Sequence, residues 1–208
     1  MSSRLIEPSP FHAPRLARID VGQYRRMLET GILHDGDPIE LLDGLLVYKD
    51  RSALGEDPMT VGERHAIAIG LLMDLGILLQ RLGCHIRCQL PITLPPHHEP
   101  EPDGAIVRGR RRDYARRHPG AEDVLCLFEV AESSLRQDRT EKAELYAAAG
   151  IGQYVIVNLV DNRLEVHTQP RARRGRYART AHLKPGASLA LNLGEGMRVE
   201  IEVRDLLP

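Results

Sequence analysis

The chain has 208 residues, and its 28 lysines and arginines nearly balance 29 aspartates and glutamates, leaving a net charge of -1. That balance excludes capture of a polyanion by bulk charge. With two phenylalanines and no tryptophan, a stacking platform for single-stranded bases is not expected. A hydrophobic fraction of 42% suffices for one domain with a real core. The expected organisation is a Ser- and Pro-rich arm over residues 1–15 and a single domain over residues 16–208. Three cysteines and an N-terminus without an apolar signal region point to reduced thiols in a cytoplasm. The longest apolar stretch, Ala66 to Leu79, is too short to span a bilayer and carries Asp74, so no membrane segment is expected.

Taken in order, Asp20-Val-Gly-Gln23 is a capping box that opens a short helix to about Thr30, with Gly31 as its stop. Asp43-Gly44 lies between two apolar runs and predicts a hairpin, because that turn needs positive φ. Glu40 falls in the first strand of this hairpin. It is either a solvated edge residue or an acid held for chemistry. Thr60-Val-Gly-Glu63 is a second capping box, opening a long helix to about Leu82. Its core face is Ala68, Leu71, Leu72, Leu75, Leu78, Leu79 and Leu82, with Gly70 and Gly76 expected at close packing. His65 in its first turns is either structural or close to a ligand.

Cys84 to Leu90 alternates as a strand, with Cys84, Ile86, Cys88 and Leu90 on one face. The spacing of Cys84 and Cys88 does not suit a zinc site with His97 and His98, and both cysteines read as core. Asp103 opens the strand Gly104–Val107. Six arginines follow in the ten positions Arg108–Arg117, among them Arg110, Arg111 and Arg112. This run is either a solvated loop or a phosphate-contacting patch, since guanidinium forks match phosphate oxygens. Val124–Phe128 is continuous and apolar, fit for a strand buried on both faces, and Glu129 follows directly.

Asp138-Arg-Thr-Glu141 is a third capping box and should start a helix to Ala149, with Gly150 after it. Lys142 lies four residues after Asp138 and four before Tyr146, so the three can share a face. Gln153–Leu159 and Leu164–His167 read as strands joined at Asp161-Asn162. Arg171, Arg173, Arg174, Arg176 and Arg179 read as a solvated hairpin tip. A short strand, a Gly-rich turn and the strand Arg198–Val203 close the chain.

Asp103 and Glu129 each sit at the end of a β-like run, so adjacent strands could bring both to one edge. Mg²⁺ prefers one or two carboxylates and several waters. The carbonyl of Val130 is a candidate further ligand. Lys142 could orient the attacking water or neutralise a phosphate, or simply pair with Asp138. A carboxylate such as Glu129, behind five apolar residues, needs a partner or a metal.

The segments Glu101–Val107, His118–Leu125, Phe128–Ser134, Asp138–Lys142 and Tyr146–Tyr154 together resemble the Uma family of restriction-endonuclease-like proteins, in the PD-(D/E)xK nuclease superfamily. The resemblance runs from about Arg18 to about Gln169. It implies an α+β fold with a mixed β-sheet flanked by helices. It also implies a metal-dependent endonuclease acting on DNA, with Asp103 and Glu129 as ligands of Mg²⁺ or Mn²⁺. The superfamily's usual lysine position, two residues after the second acid, is Ala131 here. The resemblance assigns that role to Lys142 and makes Glu40 an auxiliary acid. A homodimer would suit the cutting of two strands. The alternative is a non-catalytic module on the same fold that binds nucleic acid or protein.

Overall fold

Asp20 caps the first helix as its box pattern requires. Its side chain accepts from the Gln23 backbone N–H, and the Gln23 side chain accepts from the Asp20 N–H. The computed structural model describes residues 16–34, 36–49, 62–194 and 196–208. The expected arm over residues 1–15 and the Thr60 cap lie outside the described residues. The chain forms two compact units, one within Met1–Thr60 with Thr93–Pro100, the other within Val61–Ile92 with Glu101–Pro208.

The first unit holds helix α1 (Val21–Glu29) and a hairpin of β1 (Ile39–Leu42) and β2 (Leu45–Tyr48). Leu42 pairs with Leu45 across Asp43 and Gly44, both at positive φ, as the predicted turn demands. Leu41, Val21, Tyr24 and Leu33 form its core. Glu40 is not a solvated edge residue, since it is only 6% exposed. Glu99 bridges to Leu41, the next residue of this strand, and carries a part-buried network: Arg25 donates to Glu99 at 3.0 Å and to Thr93, and Thr93 donates to Glu99.

The second unit begins with α2 (Glu63–Asp74) and α3 (Gly76–Arg81). The single long helix that was expected breaks at Leu75. Ile69 joins the buried face, whereas Leu78 is exposed. Gly76 packs near Ile86, but Gly70 faces open space, so only one of the two glycines marks close packing. Then come β3 (Cys84–Arg87), β4 (Gly104–Arg108) and β5 (Val124–Ala131). The first of these stops short because Gln89 takes positive φ, which leaves Leu90 exposed rather than on the core face.

A helical segment follows, made of α4 (Leu135–Gln137), a π turn (Asp138–Lys142) and α5 (Ala143–Ala148). Asp138 is therefore not an N-cap. It has helical dihedrals one turn inside the segment, and Ser134 precedes the start. Strands β6 (Gln153–Asn158), β7 (Arg163–Arg171), β8 (Arg176–Leu183), β9 (Ser188–Gly194) and β10 (Met197–Glu202) complete the chain.

Six strands form one mixed sheet in the order β3-β4-β5-β6-β7-β8. All neighbours are antiparallel except β5 and β6, which are parallel and joined through α5. A single core joins α2, α3, the β9–β10 hairpin and one face of the central strands, with Leu72, Cys126, Phe128, Val155 and Leu191 fully buried. Every residue of β5 is buried, as its unbroken apolar run predicts.

Candidate active site

The register of the sheet decides where the two acids go. Gly104 pairs with Phe128, so Asp103 and Glu129, one step further along each strand, come to the same place on β4 and β5. The Asp103 Oδ2 accepts the backbone N–H of Val130 at 2.8 Å. Its Oδ1 lies 3.4 Å from His65 Nε2 on α2. Burial pushes the Asp103 carboxyl up, but His65, the Val130 N–H and the charge of Lys142 outweigh it and hold the group below its ordinary value. The same hydrogen bond raises His65, against the opposing effect of burial.

Glu129 is 2% exposed. Tyr146 donates its hydroxyl hydrogen to Oε1 at 2.7 Å, and Lys142 Nζ stands 3.0 Å from Oε2. Burial nevertheless pushes Glu129 up to about 8, with the charges of Asp103 and Asp138 adding to the rise and Lys142 opposing it. Lys142 also lies 3.7 Å from Asp138 Oδ1. Asp138 is itself raised by burial, against Lys142 and Ser134, whose hydroxyl donates to Oδ2 at 2.6 Å. Asp138 and Lys142 are the first and last residues of the π turn, and the lysine reaches Glu129 of β5 from there.

Of the residues singled out in the sequence, Asp103, Glu129, Val130, His65, Asp138, Lys142 and Tyr146 are thus brought together. Val130 enters through its N–H. Glu40 belongs to the first unit. Arg108, Arg110, Arg111 and Arg112 are exposed at the opposite end of β4 from Asp103, so closeness in sequence did not translate into closeness at the acids. Sequence reasoning missed Ser134, and also Tyr154, whose hydroxyl donates to the Asp138 carbonyl at 3.0 Å. It also missed the clamp that holds the π turn. Arg139 grips Glu165 of β7 through Nε at 2.9 Å and Nη2 at 2.5 Å, while Asn158 and Arg163 bind the same carboxylate. The acid in the run Leu164-Glu-Val-His167 was the available signal, since a buried carboxylate in a strand needs partners.

The donor set suits a hard divalent cation. Three carboxylates, Asp103, Glu129 and Asp138, share one lysine and one histidine. The Oδ1 of Asp138 is buried without a hydrogen bond among the described residues. Negative charge is therefore in excess, which adds to the rise of Glu129 that burial causes. Among the described residues, no three acid, imidazole or thiol groups already converge as a ready-made ion site.

The family model described as "Uma2: Putative restriction endonuclease" matches residues 22–204. The chain belongs to this family. No curated protein matches it. Among solved structures, the chain is similar to one described as a putative nuclease belonging to DUF820 from Anabaena variabilis ATCC 29413. That likeness has a TM-score of 0.59 at 16% identity and covers 86% of this chain and 94% of the other. At this identity it establishes the fold: the Uma2 member described here has the α+β architecture with a mixed central sheet expected from its sequence. No helix among the described residues is long and apolar enough to cross a membrane.

Proposed function

We propose that this Uma2 protein is a metal-dependent endonuclease that hydrolyses DNA phosphodiester bonds in the cytoplasm, and that it acts as a homodimer when it cuts two strands. The observation that carries the reading is Lys142 Nζ at 3.0 Å from Glu129 Oε2, inside a cluster with more carboxylates than cations. Asp103 and Glu129 would hold Mg²⁺ or Mn²⁺, with the Val130 main chain adjoining. Such a cation supplies Lewis acidity toward the scissile phosphate and the attacking water.

The chain's own groups have separate tasks. His65 and the Val130 N–H fix the Asp103 carboxylate and keep it ionised. Tyr146 fixes Glu129. Asp138, held by Ser134, keeps Lys142 beside Glu129. Lys142 is placed to neutralise charge on the phosphate or to orient the water. Exchange of the lysine's contact with Glu129 for one with phosphate would leave Glu129 free to bind the cation.

The test is nicking of supercoiled plasmid with Mg²⁺ or Mn²⁺ by the wild type and by Glu129→Ala and Lys142→Ala. The reading expects cation-dependent nicking that both variants lose while still folding. Nicking that persists unchanged in Glu129→Ala would overturn it. Salt-sensitive DNA binding without cleavage under any cation would favour a non-catalytic module instead.

A further inference from the structure

From Val166 to Gly194 the chain contains no acidic residue, and five arginines, Arg171, Arg173, Arg174, Arg176 and Arg179, stand within it. All five are exposed, and none forms an ion pair among the described residues. This sets them apart from Arg117, Arg139 and Arg163, each matched to a carboxylate. Unmatched guanidinium groups at such density repel one another, so an anion brought against them would relieve that repulsion.

The arrangement has shape as well as charge. The tip of the β7–β8 hairpin, with Gly175 at a φ of +54°, encloses a cleft of about 780 Å³ lined by Arg171, Arg173, Arg174, Arg176 and Tyr177. Arg171 and Arg176 face each other in register, and Arg179 stands three residues further on, roughly 10 Å at the usual strand rise. The tip also folds back toward the candidate active site. A Cβ on Gly175 would lie 3.7 Å from the carbonyl oxygen of Glu144, two residues beyond Lys142. The Tyr177 ring stacks on Tyr154 at 6.2 Å, and Tyr154 in turn bonds the Asp138 carbonyl. The hairpin is therefore anchored to the same helical segment that carries Lys142. Glu141 and Glu144 are exposed on that segment, so five arginines stand against two acids.

We infer that this hairpin tip is a docking surface for the phosphate backbone of duplex DNA, gripping the substrate to one side of the phosphate at Lys142. The inference rests on the nuclease reading above. Other occupants fit less well. No large apolar side chain is exposed between Arg171 and Leu183, which disfavours insertion into lipid. Strand β8 is the edge of the sheet, and arginines along an edge resist pairing with a second copy. The tip offers few rings for stacking single-stranded bases.

The experiment is fluorescence anisotropy of a labelled 20-bp duplex with the full chain in EDTA, across a salt series. It compares the wild type, R173A/R174A/R176A, and the control R198A/R204A. Plasmid nicking with Mn²⁺ is run on the same preparations. The triple variant should keep its melting temperature, bind about tenfold or more weakly at low salt, and show a salt slope shallower by about three. The control should bind as wild type does. If the triple variant binds the duplex like wild type while both nick plasmid, the docking surface is overturned and the nuclease reading stands. If the wild type neither binds nor nicks, both fall. A labelled 20-bp RNA duplex is titrated alongside, and loss of RNA binding alone in the triple variant would also overturn the proposal.

Discussion

Lys142 Nζ lies 3.0 Å from Glu129 Oε2 and 3.7 Å from Asp138 Oδ1, so one ammonium serves two buried carboxylates. Asp103 is a third acid within electrostatic reach of the same lysine. The centre is therefore electrically unfinished, and each consequence of that can be measured.

The first is pH dependence. Glu129 is pushed up to about 8 by burial, so between the ordinary carboxylate range and pH 8 the folded state binds more protons than the unfolded one. Stability in EDTA should therefore fall as pH rises through this window, by at most about 1.4 kcal/mol per pH unit from this group. Thermal melts from pH 5 to 8.5 check this. Glu129→Gln should flatten the trend, and Mn²⁺ should restore stability at the upper end by selecting the ionised form.

Tyr146→Phe removes one hydrogen bond to Glu129 and little volume. It should cost about 1 kcal/mol in chemical denaturation and raise Glu129 further, because a donor to the ionised form is lost. A Glu129 titration by carboxyl NMR that is unchanged in this variant would refute the contact's electrostatic role.

The clamp on Glu165 has the opposite sign. Burial pushes this carboxyl up, but Arg139, Asn158 and Arg163 overcome it and bring it down to about 2. Its contribution should be present above the ordinary carboxylate range and be lost as pH falls through about 2. Arg139→Ala should cost about 1–3 kcal/mol, since Arg163 and Asn158 still partner the acid. It should also lower nicking by loosening the π turn under Lys142. Urea melts and the plasmid assay read the two effects separately.

Gly104→Ala tests the positioning of Asp103. A Cβ there would lie 3.2 Å from Leu72 Cδ1 and 3.3 Å from Phe128 Cβ, in a core with no slack. The expected cost is about 1–3 kcal/mol in thermal or urea unfolding. A neutral result would mean that α2 and β5 yield more easily than their burial suggests.

Much of this was legible in the chain, for local reasons. The turn at Asp43-Gly44, the Asp20 box and the buried strand before Glu129 each carry their own determinants. Asp103 and Glu129 could be paired because each ends an apolar run. Lys142 was legible mainly through the family resemblance, since nothing in the sequence spacing singles it out. The π turn was not legible, because Asp138-Arg-Thr-Glu141 satisfies a capping pattern equally well and only Tyr154, Ser134 and Arg139 decide otherwise. Arg139 and Glu165 lie 26 residues apart and meet only once β6 and β7 pair. The place of the arginines at 108–112 was hidden for a related reason: a strand carries its two ends apart, so these residues, near Asp103 in sequence, stand at the other end of β4.

The most direct measurement of the central claim is anomalous scattering from Mn²⁺-soaked crystals of the wild type and of Glu129→Ala. The account predicts a peak held by Asp103 and Glu129, with Lys142 beside it, and its loss in the variant. No peak in wild type at high Mn²⁺, or a peak that survives unchanged in Glu129→Ala, would contradict it.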